Sequence, residues 1–193
     1  MKVNEIFCSL QGEGCNSGVA AVFVRLSGCN LCCPFCDTHH ESFTEMSEGE
    51  IVETVGTWPA AMVVITGGEP AMQLTPTLVA SLHRINRSVA VETNGTLPLP
   101  DGIDWVTVSP KDTFLGDCAK VVLTKANELK VIYDGVHEPD IHPAVQATHH
   151  CLQPLDTGDA AHNAAIAAAA VEYVKSHPLW RLSLQTHKIL NIR

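Results

Sequence analysis

The sequence predicts an α/β protein, an incomplete TIM-like barrel of mainly parallel strands with helices on the outside. Short apolar runs rich in β-branched residues alternate with segments that carry helix start signals, which is typical of strand–helix–strand crossover units. Polar motifs stand directly after several of these runs, where barrels form their sites. The chain has 193 residues, fewer than the roughly 250 typical of eight full units. We therefore expect one domain, 1–193, with an open barrel.

Eight strands are predicted from short runs that are mostly bounded by Gly, Pro or Asn. In chain order they are Glu5–Leu10, Ala21–Leu26, Met62–Thr66, Val89–Thr93, Trp105–Ser109, Leu129–Tyr133, Cys151–Leu155 and Leu182–Gln185.

Three helices are predicted from their start signals. Ser47-Glu48-Gly49-Glu50 has the form of a capping box. Thr75-Pro76 offers a cap followed by proline at the first helical position. The segment from Asp159 to Lys175 is the longest predicted helix, and Pro178 follows its end.

Charge and hydropathy argue against several classes of partner and location. Acidic residues number 21 and basic residues 12, a formal net charge of -9 without a run of Lys or Arg, so we expect no nucleic-acid partner. Met1–Glu5 lacks the apolar stretch of a secretory signal. The longest apolar run, Ala164–Val171, is far short of the ~20 residues that span a bilayer. We expect a cytoplasmic protein without a membrane partner.

Four of the eight cysteines lie within eight residues. Cys29, Cys33 and Cys36 form Cys-x3-Cys-x2-Cys, and three thiolates on one loop suit a four-iron cluster with one iron left open. Cys29-x2-Cys32 or Cys33-x2-Cys36 could instead be half of a zinc site, but no second pair follows downstream. In a reducing compartment, clustered cysteines are expected to be metal ligands or catalytic thiols and not disulfides.

Two glycines follow the predicted strand Met62–Thr66, in Thr66-Gly67-Gly68-Glu69-Pro70. Glycines let a backbone approach a ligand closely, and Glu69 offers negative charge for an amino group. A tight turn is the structural alternative. Glu92-Thr93-Asn94-Gly95 and Ser109-Pro110-Lys111 also end strands and are weaker signals alone.

With the cysteine loop following an apolar strand and the Gly-Gly-Glu-Pro element following the next, the sequence resembles the radical S-adenosylmethionine (SAM) superfamily. The resemblance implies that Cys29, Cys33 and Cys36 bind a [4Fe–4S] cluster whose open iron holds SAM. It gives Cys32 no ligand role, and a Cys29/Cys32/Cys36 set remains the alternative. The implied SAM contacts are Phe35, Gly67, Gly68, Glu69, Ser109, Pro110, Lys111, Gln153, Pro154, Leu155 and Asp156.

Further motifs narrow the resemblance along the whole chain. These are Ser9-Leu10-Gln11-Gly12-Glu13-Gly14, Phe23-Val24-Arg25-Leu26-Ser27-Gly28-Cys29-Asn30-Leu31, Cys36-Asp37-Thr38 and Leu182-Ser183-Leu184-Gln185-Thr186-His187-Lys188. Together they resemble the 7-carboxy-7-deazaguanine synthase family. That resemblance implies radical conversion of 6-carboxy-5,6,7,8-tetrahydropterin to 7-carboxy-7-deazaguanine, with ring contraction and loss of ammonia, in queuosine and 7-deazapurine biosynthesis.

The family resemblance also implies site residues and partners. Thr38 is the expected Mg²⁺ ligand, an electron donor such as flavodoxin or ferredoxin is expected, and relatives are homodimers. No residue is assigned as an acid or base catalyst. The implied substrate contacts are Leu10, Gln11, Gly12, Glu13, Arg25, Thr66, His187 and Arg193.

Several alternatives remain open at this point. Arg25 lies inside an apolar strand and needs a partner, either a substrate carboxylate or a structural salt bridge. Another small radical SAM enzyme, such as a glycyl-radical-activating enzyme, and a non-enzymatic zinc module are the competing functions.

Overall fold

One sheet organises the protein. The computed structural model describes residues 1–38 and 41–193. The strands of the described residues are β1 (Lys2–Leu10), β2 (Ala20–Leu26), β3 (Thr44–Glu45), β4 (Met62–Gly67), β5 (Ser88–Thr93), β6 (Trp105–Val108), β7 (Lys125–Tyr133), β8 (Gln146–Pro154) and β9 (Trp180–Leu182). The helices are α1 (Glu48–Gly56), α2 (Pro76–Arg84), α3 (Asp112–Leu115), α4 (Ala160–Ser176) and α5 (Thr186–Leu190), with 3₁₀ turns at Pro70–Met72 and Gly116–Ala119.

The strand order confirms the open barrel. Across the sheet it is β3-β1-β2-β4-β5-β6-β7-β8-β9. Strands β2 and β4 through β9 pair in parallel, while β1 is antiparallel to β2, and β3 is antiparallel to β1. Within the described part of the chain, β3 and β9 are the edges and do not pair with each other. No described helix is long and apolar enough to cross a membrane.

The predicted helix starts are confirmed. Ser47 forms a complete capping box with Glu50 at the start of α1. The Thr75 side chain accepts a hydrogen bond from Leu78 N at 3.1 Å at the start of α2. Asp159 accepts one from His162 N at 2.7 Å at the start of α4. Each cap satisfies a backbone donor that the first turn leaves free.

The last predicted strand is wrong in its position. Leu182–Gln185 was expected as the closing strand, but β9 ends at Leu182 and Gln185 stands just before α5. The backbone leaves the sheet because Thr186 N and Thr186 Oγ1 both donate to the Gly12 carbonyl, each at 2.9 Å. Contact with the loop after β1 therefore replaces the expected strand pairing.

The two faces of the sheet have different roles. The outer face packs against α1 and α2 through a buried apolar cluster that includes Val22, Val24, Val63, Ile65, Val89 and Val91. The inner face begins with a smaller apolar cluster, Phe7, Ala21, Phe23, Val64 and Ala90. Since alternate residues share a face, the inner face continues towards the carboxyl ends of the strands with Arg25, Thr66 and Glu92. The site is built on these polar residues.

Candidate active site

Two adjoining cavities open at the carboxyl ends of the parallel strands. One, about 350 Å³, is bounded by the cysteine loop and is here called the cysteine lobe. The other, about 270 Å³, lies over β1 and β2 and is called the polar lobe. Both lobes are lined by Glu13, Asp37, Thr38, Thr66, Glu92 and Gln185. These shared walls make the two lobes one continuous site.

Four thiols face the cysteine lobe. Cys29, Cys32, Cys33 and Cys36 all line it, and none is in a disulfide. Burial raises the pKa of the Cys29 and Cys33 thiols. Iron would supply the positive charge that stabilises thiolates there. The donor set therefore fits a sulfur-ligated cluster. Cys33 is partly buried and Cys32 is exposed, but both side chains border the lobe, so the choice between them stays a prediction.

Gly68 brings β4 against the start of the cysteine loop. A Cβ at Gly68 would lie 2.0 Å from the Gly28 carbonyl oxygen, closer than any side chain allows. Gly68 N donates to Leu26 O at 3.0 Å, and Glu69 N donates to Gly28 O at 2.9 Å. Gly67 and Gly68 both line the lobe. The glycine pair thus leaves this backbone open to a ligand while it anchors the loop.

Glu69 does not face either lobe, which corrects its expected role. Its side chain is fully buried, and its oxygens accept hydrogen bonds from Ala71 N at 2.9 Å, Thr93 Oγ1 at 2.7 Å and Asn94 N at 2.8 Å. A carboxylate committed to these donors ties the end of β4 to the end of β5. Glu69 is therefore a positioning residue beneath the site.

A lysine projects into the cysteine lobe from the end of β6. Lys111 Nζ donates to Ser109 O at 2.6 Å and to Ser109 Oγ at 2.7 Å. Burial and the nearby charge of Lys130 lower the Lys111 pKa to about 8. Ser109 and Lys111 line the lobe, whereas Pro110 lines neither lobe.

The end of β8 completes the cysteine lobe. Gln153, Pro154, Leu155 and Asp156 all line it. Lys188 Nζ lies 2.7 Å from Asp156 and 3.0 Å from Asp37. Phe35 also lines the lobe. The structure therefore gathers in one cavity all the implied SAM contacts except Glu69 and Pro110.

The polar lobe draws on both ends of the chain. The implied substrate contacts that line it are Leu10, Gln11, Gly12, Glu13, Arg25, Thr66, His187 and Arg193. Arg193 pairs with Glu5, and its guanidinium lies 5.2 Å from the Phe7 ring centre. Thr38, the implied Mg²⁺ ligand, borders both lobes.

Arg25 has a structural partner and a free side. Its Nε donates to Glu5 Oε1 at 2.9 Å across the β1–β2 pair, as in the salt-bridge alternative. Its Nη1 lies 3.5 Å from Thr38 Oγ1. Because the guanidinium has five donor hydrogens, the pair with Glu5 leaves donors directed along the lobe.

An ion pair that the sequence did not single out joins the two lobes. Lys130 Nζ lies 2.5 Å from Glu13 Oε2 and 3.6 Å from Glu92 Oε2. Burial opposes ionisation of Glu13, but the charge of Lys130 outweighs it and lowers the Glu13 pKa to about 2. Burial likewise opposes the charge of Lys130, yet the two carboxylates raise its pKa. Gln11 Nε2 donates to Glu92 Oε1 at 2.8 Å.

Sequence reasoning missed Lys130, although a signal for it existed. Glu128 and Lys130 alternate with apolar Leu129 and Val131 in β7. A charge within an apolar strand needs a partner, the reasoning that was applied to Arg25. Asp37 and Gln185 border both lobes. Both belong to the sequence motifs of the family, but the resemblance implies no role for either.

Comparison with known proteins agrees with this geometry. Residues 23–113 match the radical SAM superfamily. The 7-carboxy-7-deazaguanine synthase of Bacteroides thetaiotaomicron is 47% identical over 192 residues, which cover 100% of this chain and 98% of the relative. That of Nitratidesulfovibrio vulgaris is 42% identical over 220 residues, covering 99% and 98%.

A solved structure is also similar. The crystal structure of QueE from Escherichia coli superimposes with a TM-score of 0.77 at 29% identity, covering 95% of this chain and 92% of that one. These matches favour the synthase over the activating enzyme and the zinc module. The chain belongs to the 7-carboxy-7-deazaguanine synthase family of radical SAM enzymes.

Proposed function

We propose that the two lobes divide the ligands of the 7-carboxy-7-deazaguanine synthase reaction. The cysteine lobe holds the [4Fe–4S] cluster on Cys29, Cys33 and Cys36, with SAM against the Gly67–Gly68 backbone. The polar lobe holds 6-carboxy-5,6,7,8-tetrahydropterin. The observation that carries this division is the shared wall, in which Thr66 and Glu92 border both cavities. Substrate and SAM in adjoining lobes would meet there.

The cysteine lobe has to orient SAM. When bound, the cluster and SAM supply a carbon-centred radical that removes a hydrogen atom from the substrate. The Gly67–Gly68 backbone presents polar groups without a side chain in the way. Lys111, held by Ser109, places a positive charge where the SAM carboxylate binds in the proposed arrangement. Phe35 and Leu155 supply apolar wall for the adenosine.

The polar lobe has to fix the pterin. Arg25 offers its remaining donors to the substrate carboxylate, where a bidentate pair is favourable. Glu13, kept ionised by Lys130, accepts hydrogen bonds from the guanidine-like edge of the pterin. His187 and Arg193 close the lobe from the C-terminal side. Arg25 and Glu13 would thus bind opposite ends of one flat substrate, its carboxylate and its guanidine-like edge.

Mg²⁺ is proposed at Thr38. The threonine hydroxyl is a hard oxygen ligand, and Mg²⁺ usually keeps several waters and takes other ligands from its substrate. Support comes from the position of Thr38 on the border of both lobes, 3.5 Å from the Arg25 guanidinium. A substrate carboxylate held by Arg25 would lie within reach of such an ion.

Anaerobic turnover tests the proposed function. Reconstituted enzyme is mixed with SAM, a reductant and 6-carboxy-5,6,7,8-tetrahydropterin, and the products are followed by mass spectrometry. We expect 7-carboxy-7-deazaguanine with SAM regenerated. Release of 5'-deoxyadenosine without a deazaguanine product would show that the substrate assignment is wrong.

The proposed function also implies a domain organisation and protein partners for this chain. We propose a single radical SAM domain over 1–193, supported by one sheet that contains all nine described strands. A small electron-transfer protein such as flavodoxin or ferredoxin would reduce the cluster. We propose that the protein is cytoplasmic, in keeping with its eight unpaired thiols. We also propose that it forms a homodimer, in keeping with the exposed apolar side chains of Ile189 and Leu190 on α5. Light scattering of the reconstituted enzyme tests the dimer.

A further inference from the structure

Two cysteines and a glutamate meet inside the barrel, outside both lobes. Cys15 lies in the loop between β1 and β2, Glu128 on β7 and Cys151 on β8. Their donor atoms all lie within 4.8 Å of one another, and the two sulfur atoms are 3.7 Å apart. None of the three lines the cysteine lobe or the polar lobe. This cluster is separate from the Cys29–Cys36 loop.

One oxygen of the cluster has no partner among the described residues. Glu128 is 2% exposed, and its Oε2 accepts a hydrogen bond from Cys15 N at 2.9 Å. Its Oε1 is buried without any hydrogen bond. A buried carboxylate oxygen without a hydrogen bond destabilises the fold, because it has lost its water and gained no partner. A ligand at this point would remove that cost.

The spacing of the sulfur atoms fits a tetrahedral metal. Zinc–sulfur bonds of about 2.3 Å at tetrahedral angles separate two sulfurs by about 3.8 Å, close to the observed 3.7 Å. A disulfide would require about 2.05 Å between the sulfur atoms and would give the carboxylate no role. Two sulfurs and one carboxylate are a donor set that zinc accepts.

The local chain is shaped to bring Glu128 into the cluster. A Cβ at Gly14 would lie 2.1 Å from Glu128 Oε1, and Gly14 has a φ of +66°. Only glycine suits both the contact and the backbone. Burial, together with the charge of Glu128, raises the pKa values of Cys15 and Cys151. A cation would offset the repulsion among these three acidic groups.

We propose that Cys15, Glu128 and Cys151 bind one zinc-class divalent cation, with water as the fourth ligand. Binding transfers the two thiol protons to solvent and leaves two thiolates and a carboxylate on the metal. Cys15 is only partly buried, so the ion reaches the cluster from the surface. The metal ties the loop after β1 to β7 and β8. Because Glu13 and Lys130 are each two residues from a ligand, this tie holds their ion pair in place.

Metal content of the reconstituted enzyme tests the proposal. The cluster is assembled first, zinc is then added at micromolar free concentration, and iron and zinc are measured together. We expect one zinc per chain beyond the cluster iron. Cys15→Ser and Cys151→Ser should each bind zinc at least about tenfold more weakly with unchanged iron. Cys8→Ser and Cys118→Ser, which change exposed thiols, should bind zinc as the unsubstituted enzyme does.

A second measurement needs no variant and so does not depend on variant folding. Zinc should protect the partly buried Cys15 from alkylation, read by peptide mass spectrometry, while Cys8 and Cys118 react at an unchanged rate. Absence of bound zinc, zinc retained at full affinity in both serine variants, or a Cys15–Cys151 disulfide under reducing conditions in place of metal would overturn the proposal. Zinc content is measured without turnover, so the result is independent of the substrate assignment.

Discussion

Single charged residues on the inner face determine how the site is held. Arg25, Glu92 and Lys130 occupy positions that alternate with apolar residues along β2, β5 and β7. Alternation turns them inwards, and ion pairs offset the cost of burying them: Arg25 pairs with Glu5, and Lys130 pairs with Glu13 and Glu92. Because Arg25, Glu92 and Lys130 are each carried by a strand of the sheet, their positions are fixed. A ligand site requires such rigidity.

Loss of Lys130 should be the most damaging change to this network. Lys130→Met leaves the partly buried Glu13 and Glu92 carboxylates near each other without a cation, and we expect a loss of about 3–5 kcal/mol in the free energy of unfolding. Anaerobic urea unfolding at pH 7 measures it. The matched variant Lys188→Met breaks two ion pairs that are more exposed, with Asp37 and Asp156, and should cost only about 0–1 kcal/mol for each pair.

The unfolding measurement is made at pH 7 because the pKa of Glu13 is lowered in the folded chain. The Glu13 pKa is lowered from 4.5 to about 2 in the folded chain. Its contribution to stability is therefore complete above pH 4.5 and is lost as the pH falls towards 2. At pH 7 both partners are ionised, and equal losses for Lys130→Met and Lys188→Met would contradict the importance given to the buried pair.

The cluster ligands can be assigned by two alanine variants. Cys33→Ala should lose the iron–sulfur chromophore and the cluster iron, because three thiolates are needed to leave a single open iron. Cys32→Ala should keep both. Visible absorption and iron content after anaerobic reconstitution distinguish them, with Cys118→Ala as a control for an exposed thiol outside the cysteine loop. The reverse pattern would assign Cys29, Cys32 and Cys36 as the ligands.

Sequence reasoning at the residue scale succeeded where a motif was dense. The cysteine loop and the Gln11–Gly14 turn were found because several unusual residues stand together. Glu69 was given the wrong orientation, because a glutamate after two glycines looks the same whether it faces a ligand or three internal donors. Only the positions of Thr93 and Asn94 on the next strand decide between these.

At the scale of elements, the contact between the end of β4 and the cysteine loop leaves no room for a side chain. Gly68→Ala would force a Cβ into the Gly28 carbonyl and displace the start of the loop. We expect activity to fall on the order of 100-fold, since a shift of about 1 Å has that effect in an organised site. SAM binding and turnover rate measure the change.

The control for this variant is Gly49→Ala. Its Cβ would meet nothing nearer than Ser47 Oγ at 3.9 Å, and alanine favours the helix by up to about 1 kcal/mol. Stability should be unchanged or slightly raised, with full activity. Similar activities for Gly68→Ala and Gly49→Ala would refute the anchoring role of Gly68.

Elements were predictable where local signals agree with the fold. The caps of α1, α2 and α4 were found from at most four residues each because capping is a local interaction. Strand β7 begins at Lys125, four residues before its predicted start. The prediction relied on apolar residues, and polar Asn127 and Glu128 interrupt the apolar pattern in the first half of this strand. The helix α5 was missed because its start depends on the Gly12 carbonyl, 174 residues away.

For the whole molecule, the two lobes separate functions that can be tested independently. Arg193 lines the polar lobe alone. Arg193→Ala should raise the KM for the pterin about tenfold or more, the value of one charge-assisted hydrogen bond, while SAM affinity and cluster content stay unchanged. Steady-state kinetics with each ligand varied in turn measures this.

The control is Arg84→Ala, on the exposed face of α2, which should leave both constants unchanged. Equal weakening of SAM binding and pterin binding by Arg193→Ala would show that the lobes do not act separately.

The open barrel itself was predictable, since chain length and strand–helix alternation limit the possible folds. The meeting of the chain ends over one cavity was not, because it depends on contacts between residues as far apart as Ser9 and Arg193.

The distance along the chain between the parts of the polar lobe has a consequence under heat stress. The Gln185 side chain donates to Glu13 across 172 residues, whereas the cysteine loop and the glycines that anchor it lie within 40 residues of each other. Fraying of β9 and α5 would detach the substrate wall, while the cysteine loop and the glycines that anchor it stay in place. A warmed enzyme should therefore keep its brown colour and consume SAM and electrons unproductively before it loses its metal cluster. The ratio of 5'-deoxyadenosine to product would then measure how far the substrate wall has separated from the cofactor site.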